Sequence, residues 1–104
     1  MSKPVIIFGA QGPGKVALEV LQQNDVIVYG FLDDDPALQG QEINSVPVLG
    51  ATGEESFLAL LGEECEACIA ISSPSKKKRL VAMLREQRKI VPINVIHPAA
   101  TLAS

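Results

Sequence analysis

Short runs of consecutive apolar residues alternate along this chain with stretches of helical periodicity, and that alternation constrains the fold most. Val5-Ile6-Ile7-Phe8 ends at Gly9 and reads as a strand with no polar side. Such a strand is buried on both faces, as in a parallel sheet covered by helices. Residues 14–23 carry Val16, Leu18, Val20 and Leu21 among Lys15, Glu19 and Gln22, a helical pattern that Asn24-Asp25 breaks. Val26 to Leu32 reads as a second buried strand, stopped by Asp33-Asp34-Asp35-Pro36. Residues 36–45 are polar, with Gly40, and read as an excursion between elements. Val46-Pro47-Val48-Leu49 reads as a short edge strand, because Pro47 cannot donate to a ladder.

Residues 54–61 predict a second helix, with Phe57, Leu58, Leu60 and Leu61 on its apolar face and Gly62 as its stop. Cys68-Ile69-Ala70-Ile71 is the next buried strand. Ser72-Ser73-Pro74-Ser75 supplies a cap and a first-turn proline for a third helix ending near Gln87. Ile90-Val91 and residues 93–96 form the last strand, interrupted by Pro92. The order β-α-β-β-α-β-α-β predicts an α/β fold: one small Rossmann-like domain built on a doubly wound, mainly parallel sheet.

Composition narrows the function. At 104 residues the chain is one domain with room for one core. Aromatic residues make up 4% of the chain, with no Trp, which argues against a stacking platform for single strands. A formal net charge of −3 argues against a binder of the nucleic-acid backbone. The first apolar run is too short for a signal peptide or a membrane span, so the expectation is no membrane insertion and a cytoplasmic location. One His and two Cys fall short of a tetrahedral zinc site, and no metal site is expected.

Gly9-Ala10-Gln11-Gly12-Pro13-Gly14-Lys15 joins the first strand to the first helix. Glycines there let backbone N–H groups at a helix start approach an anion. Two known patterns nearly fit. The dinucleotide fingerprint places glycine at its first, third and sixth positions, where this loop has Gly9, Gln11 and Gly14. Gln11 sets a side chain where a pyrophosphate requires bare backbone. The phosphate-loop spacing is met by Gly9, Gly14 and Lys15, but Val16 stands where Ser or Thr would hold Mg²⁺. A third reading is a turn that uses glycine only to close a strand onto a helix.

Asp33 lies nineteen residues after Gly14, at the carboxyl end of the second strand, where an acid hydrogen-bonds a ribose hydroxyl in nucleotide-binding sheets. Three consecutive Asp exceed that need, and Asp35, beside Pro36, reads as a cap on its own turn. Lys76-Lys77-Lys78-Arg79 puts four cations in the first turns of a helix, where the macrodipole disfavours them. Either they fan into water, or an anion docks there against Ser73, Ser75 and Arg79. In a doubly wound sheet the loops after the first strand and after Ile71 flank the crevice where strand order reverses, and ligands bind in that crevice. Two anion-friendly loops on one crevice favour a phosphorylated ligand. Cys65-Glu66-Ala67-Cys68 has redox spacing but lacks a helix N-terminus to activate a thiol, and reads as packing. No nucleophile–base pair stands out, and His97, between Ile96 and Pro98, reads as a junction residue.

Together, Val5 to Lys15 (VIIFGAQGPGK), Gly30 to Pro36 (GFLDDDP), Val46 to Gly50 (VPVLG), Ala70 to Arg79 and Ile96-His97-Pro98 resemble the N-terminal domain of bacterial sugar acyltransferases. That family includes sialic-acid O-acetyltransferases and UDP-4-amino-sugar N-acetyltransferases. The resemblance implies that the domain, residues 1–96, holds the nucleotide part of a UDP-sugar in glycan biosynthesis. Gly9, Gly12 and Gly14 would form the glycine-rich loop, Asp33 and Asp34 would meet the uridine or ribose, and Ser73 with Arg79 would lie by the phosphates. Residues 97–104 resemble the lead-in to a left-handed β-helix that binds acetyl-CoA, trimerises and carries the catalytic histidine. The expectation is thus no catalytic residue and no cofactor in this chain, acetyl-CoA for the full-length enzyme, and a monomer or weak dimer as it stands. The family loop usually reads G-A-G-G-H-G; here Gln11 replaces a glycine and Pro13 the histidine. The rival readings are an NAD- or CoA-binding module and a structural domain with no ligand.

Overall fold

The computed structural model describes residues 3–93. Five strands form one sheet: β1 Val5–Phe8, β2 Val28–Leu32, β3 Glu42–Ile43, β4 Val46–Gly50 and β5 Glu66–Ile69. Their spatial order is β3-β4-β2-β1-β5. All neighbours run parallel except β3 and β4. Among the described residues three α-helices accompany them: α1 Gly12–Gln23, α2 Glu55–Leu58 and, after β5, α3 Pro74–Arg88. This is the anticipated mainly parallel, doubly wound α/β sheet.

Both faces of β1 are buried, and its alternate residues serve two cores. Val5 and Ile7 pack with Ala17, Leu18 and Leu21 of α1 on one face. Ile6 and Phe8 pack with Leu58, Leu61 and Leu84, from the α2 and α3 side, on the other. This period-two division explains why the β1 run is apolar throughout.

Several boundaries differ from the sequence reading. The second strand begins at Val28, because the Val26 N–H closes the preceding turn onto the Leu21 carbonyl at 2.9 Å. It is not covered throughout: Ile27, just before it, is 74% exposed and Tyr29 44%. The polar excursion contains β3, a two-residue strand that forms a hairpin with β4 through Asn44 and Ser45, both left-handed at φ 50° and 69°. β4 is therefore interior, not an edge. Pro47 is accommodated because the registered pairs with β2 begin at Val48.

Only four residues of the second helix are α-helical. Beyond Leu58 the bonds tighten to i→i−3, from the Leu60 and Leu61 N–H groups to Phe57 and Leu58, and the turn ends at Gly62. β5 starts at Glu66 and stops at Ile69, since its partner β1 spans Val5–Phe8 and fixes the register. Of the predicted last strand, Ile93 forms a parallel bridge to Cys68. Residues 94–96 and His97 lie outside the described residues. No described helix is long and apolar enough to cross a membrane.

Candidate functional site

The sheet order puts the topological switch between β1 and β5. From β1 the chain winds outward through β2 to β4, then returns to place β5 on the other side of β1. Ligands of open α/β sheets bind at the carboxyl ends of strands at such a switch. A cleft of about 750 Å³ opens there, between the glycine turn, the Asp33–Asp35 run and the start of α3.

The glycine turn is shaped by two contacts. Gly9 has φ +107°, and a Cβ there would stand 2.5 Å from the Ala70 carbonyl oxygen. Gly14 lies against Gly9, where a Cβ would fall 1.9 Å from the Gly9 oxygen. These glycines let the turn pass tightly against the Ala70 backbone and let α1 begin against the Gly9 carbonyl. Gly9 reaches the cleft wall, while Gly14 is buried behind the turn and Gly12 faces open space. Gln11 and Pro13 also line the cleft. Gln11 is the extended residue before α1, and its side chain makes no capping bond.

The three aspartates are each tied. Asp33 accepts the Ala10 N–H on Oδ2 at 2.8 Å and the Asp35 N–H on Oδ1 at 2.9 Å. It thereby fastens the glycine turn to the end of β2. Asp34 accepts the Thr52 N–H and hydroxyl, at 2.8 and 3.0 Å on Oδ1 and, for the hydroxyl, 2.9 Å on Oδ2. Asp35 accepts the Ala37 N–H at 2.9 Å, the cap expected from its place before Pro36. Each carboxylate keeps acceptor capacity beyond these bonds. Thr52, on the loop after β4, was not singled out from sequence. A lone Thr in a Gly-rich turn gives no signal until the fold carries it to Asp34.

The cationic wall comes from α3. Of the four consecutive cations, Lys76 and Arg79 line the cleft, whereas Lys77 and Lys78 border a separate outer surface of the helix. The helical period turns residues three apart to one side. Ser73 is the N-cap, its hydroxyl 3.5 Å from the Lys76 N–H, and it lies 3.3 Å from the Ser75 hydroxyl. Five of the seven predicted site residues, Gly9, Asp33, Asp34, Ser73 and Arg79, thus share one cleft, and Gly12 and Gly14 do not line it. Among the described residues the one ion pair, Arg88 with Glu55, is elsewhere, so Lys76 and Arg79 enter the cleft without a carboxylate partner.

Other candidates fall away. Cys65 and Cys68 are buried free thiols. Burial pushes Cys68 up to about 11 and Cys65 upward as well, the opposite of an activated pair. Among the described residues no group of His, Cys, Asp and Glu could hold a metal.

The chain resembles several solved structures. It aligns with two single-site mutants of perosamine N-acetyltransferase from Caulobacter crescentus, both in complex with CoA and GDP-perosamine. For each the identity is 27%, the TM-score 0.69, and 94% of this chain and 44% of the other are covered. It also aligns with the acetyltransferase domain of PglB from Neisseria gonorrhoeae FA1090, in complex with acetyl coenzyme A. There the identity is 27%, the TM-score 0.62, and the coverage 77% and 37%. The chain therefore spans less than half the length of these relatives. No curated protein sequence matches it. Residues 4–84 match the PglD N-terminal domain family, and the chain belongs to this family.

Proposed function

We propose that this domain holds the nucleotide part of a nucleotide-sugar, UDP-linked, on behalf of a bacterial sugar O- or N-acetyltransferase. One observation carries the reading: a single cleft at the sheet's switch point has a carboxylate wall and a cationic wall. A nucleotide-sugar asks for both, since ribose and base offer hydroxyl and N–H donors while the diphosphate is an anion. The perosamine N-acetyltransferase of matching fold holds GDP-perosamine, which supports the ligand class.

In this reading Gly9 and Gly14 shape the turn and Gly12 opens the first turn of α1. Asp33 and Asp34 present their remaining lone pairs to the ribose and uracil, and Ser73 with Arg79 faces the phosphates. Residues 1–96 form the binding domain, and 97–104 lead toward a β-helix that binds acetyl-CoA, trimerises and supplies the catalytic histidine. The domain works by positioning: it fixes the nucleotide so that the sugar's amine or hydroxyl reaches the acetyl thioester.

An amide NMR titration with UDP, GDP and NADH in parallel tests this. Shifts with UDP at Gly12, Asp34 and Ser73, weaker with GDP and weakest with NADH, are expected. A response to NADH alone would move the assignment to a dinucleotide module. Silence with all three would leave the cleft without a nucleotide.

A further inference from the structure

We infer that Gln11 and Pro13 determine the specificity of the cleft, leaving the first turn of α1 too few free backbone donors to seat the central pyrophosphate of a dinucleotide. The inference rests on the proposed nucleotide site and states what that site refuses.

Free backbone donors are scarce at this turn. A diphosphate seated on a helix start is held by amide N–H groups of the first turn and the turn before it. Here the Gly9 N–H is bound to the Leu32 carbonyl at 2.8 Å and the Ala10 N–H to Asp33 at 2.8 Å. The Lys15 N–H is bound to the Gln11 carbonyl at 3.0 Å. Pro13 has no N–H, and Gly14 is buried behind the Gly9 carbonyl. That leaves the amides of Gln11 and Gly12, and the Gln11 side chain lines the cleft and caps nothing.

The opposite wall has the complementary character. Lys76 and Arg79 line the cleft as side-chain donors with no ion-pair partner among the described residues. A nucleoside diphosphate can be met there by side chains that move with it. A dinucleotide needs its central pyrophosphate on bare backbone at the α1 turn, the place these two residues occupy.

The test is a pair of affinities, for UDP and for NADH, measured by calorimetry or NMR on the full chain and on the double variant Gln11→Gly, Pro13→Ala. Both positions are exposed, so the variant keeps its core, and one-dimensional NMR checks this. Restoring one amide donor to a charged ligand is expected to move the affinity ratio toward NADH by about tenfold. A ratio unmoved within about twofold, or moved toward UDP, overturns the inference. So does a parent chain that prefers NADH. If the variant gains NADH while neither protein binds UDP, the gating by Gln11 and Pro13 stands and the nucleotide-sugar assignment falls. If neither protein binds either ligand, both fall.

Discussion

Gly14 and Gly9 touch where α1 leaves the sheet, and that contact leaves no room for a methyl group. Gly14→Ala would press a Cβ against a backbone oxygen at 1.9 Å, which no side-chain rotation relieves. We expect a loss of about 3 kcal/mol, the upper end for overpacking, read from the urea midpoint. Gly12→Ala meets nothing within 4 Å and should leave stability unchanged or raise it by up to about 1 kcal/mol. The glycines look equivalent in the sequence, and only their neighbours across the turn separate them. Asp33 is a similar case. Its place at the end of β2, on the crevice, was legible, but its two bonds to the Ala10 and Asp35 N–H groups were not. Asp33→Asn keeps one acceptor and strands the other N–H, at a cost of about 1–3 kcal/mol in thermal or urea unfolding. Cys68 makes a pH prediction. Its folded thiol titrates near 11, above the ordinary value of 9.0, because burial disfavours the thiolate. The stability tied to the neutral thiol is complete below about 9 and lost as pH rises toward 11, since the unfolded chain releases that proton first. The urea midpoint should fall over that interval, and Cys68→Ala should flatten the fall.

Among the elements, the long apolar strands were readable because burial on both faces removes every polar residue from β1. The β3–β4 hairpin was not. Two residues carry no periodicity, and the turn is made by Asn44 and Ser45 in place of the Asn-Gly pair that signals such a hairpin. Ser45 holds φ 69° against its preference, so Ser45→Gly should raise stability by about 0.5–1 kcal/mol, measured by thermal unfolding. α3 shows the converse. The run Lys76 to Arg79 was conspicuous in the sequence, yet the helical period decides which members face the cleft. Arg79→Ala should weaken UDP binding by about tenfold, whereas Lys78→Ala, on the outer surface, should change it by less than about twofold.

At the scale of the molecule, the switch between β1 and β5 brings together residues far apart in the chain. The order of strands and helices sufficed to locate the crevice, because right-handed crossover rules leave few topologies for such a chain. What it could not supply was Thr52, or the burial of Gly14, both of which depend on how loops pack after the sheet has formed. One feature of the site reaches into its kinetics. The carboxylates of Asp33, Asp34 and Asp35 are already held by backbone N–H groups in the free protein. Under the proposed function, an arriving nucleotide would meet an acidic wall whose rotamers are set, so that little conformational entropy would remain to be lost there. Association should then run as one fast exponential with no slow rearrangement behind it, the behaviour of a mould that has hardened before the casting is poured.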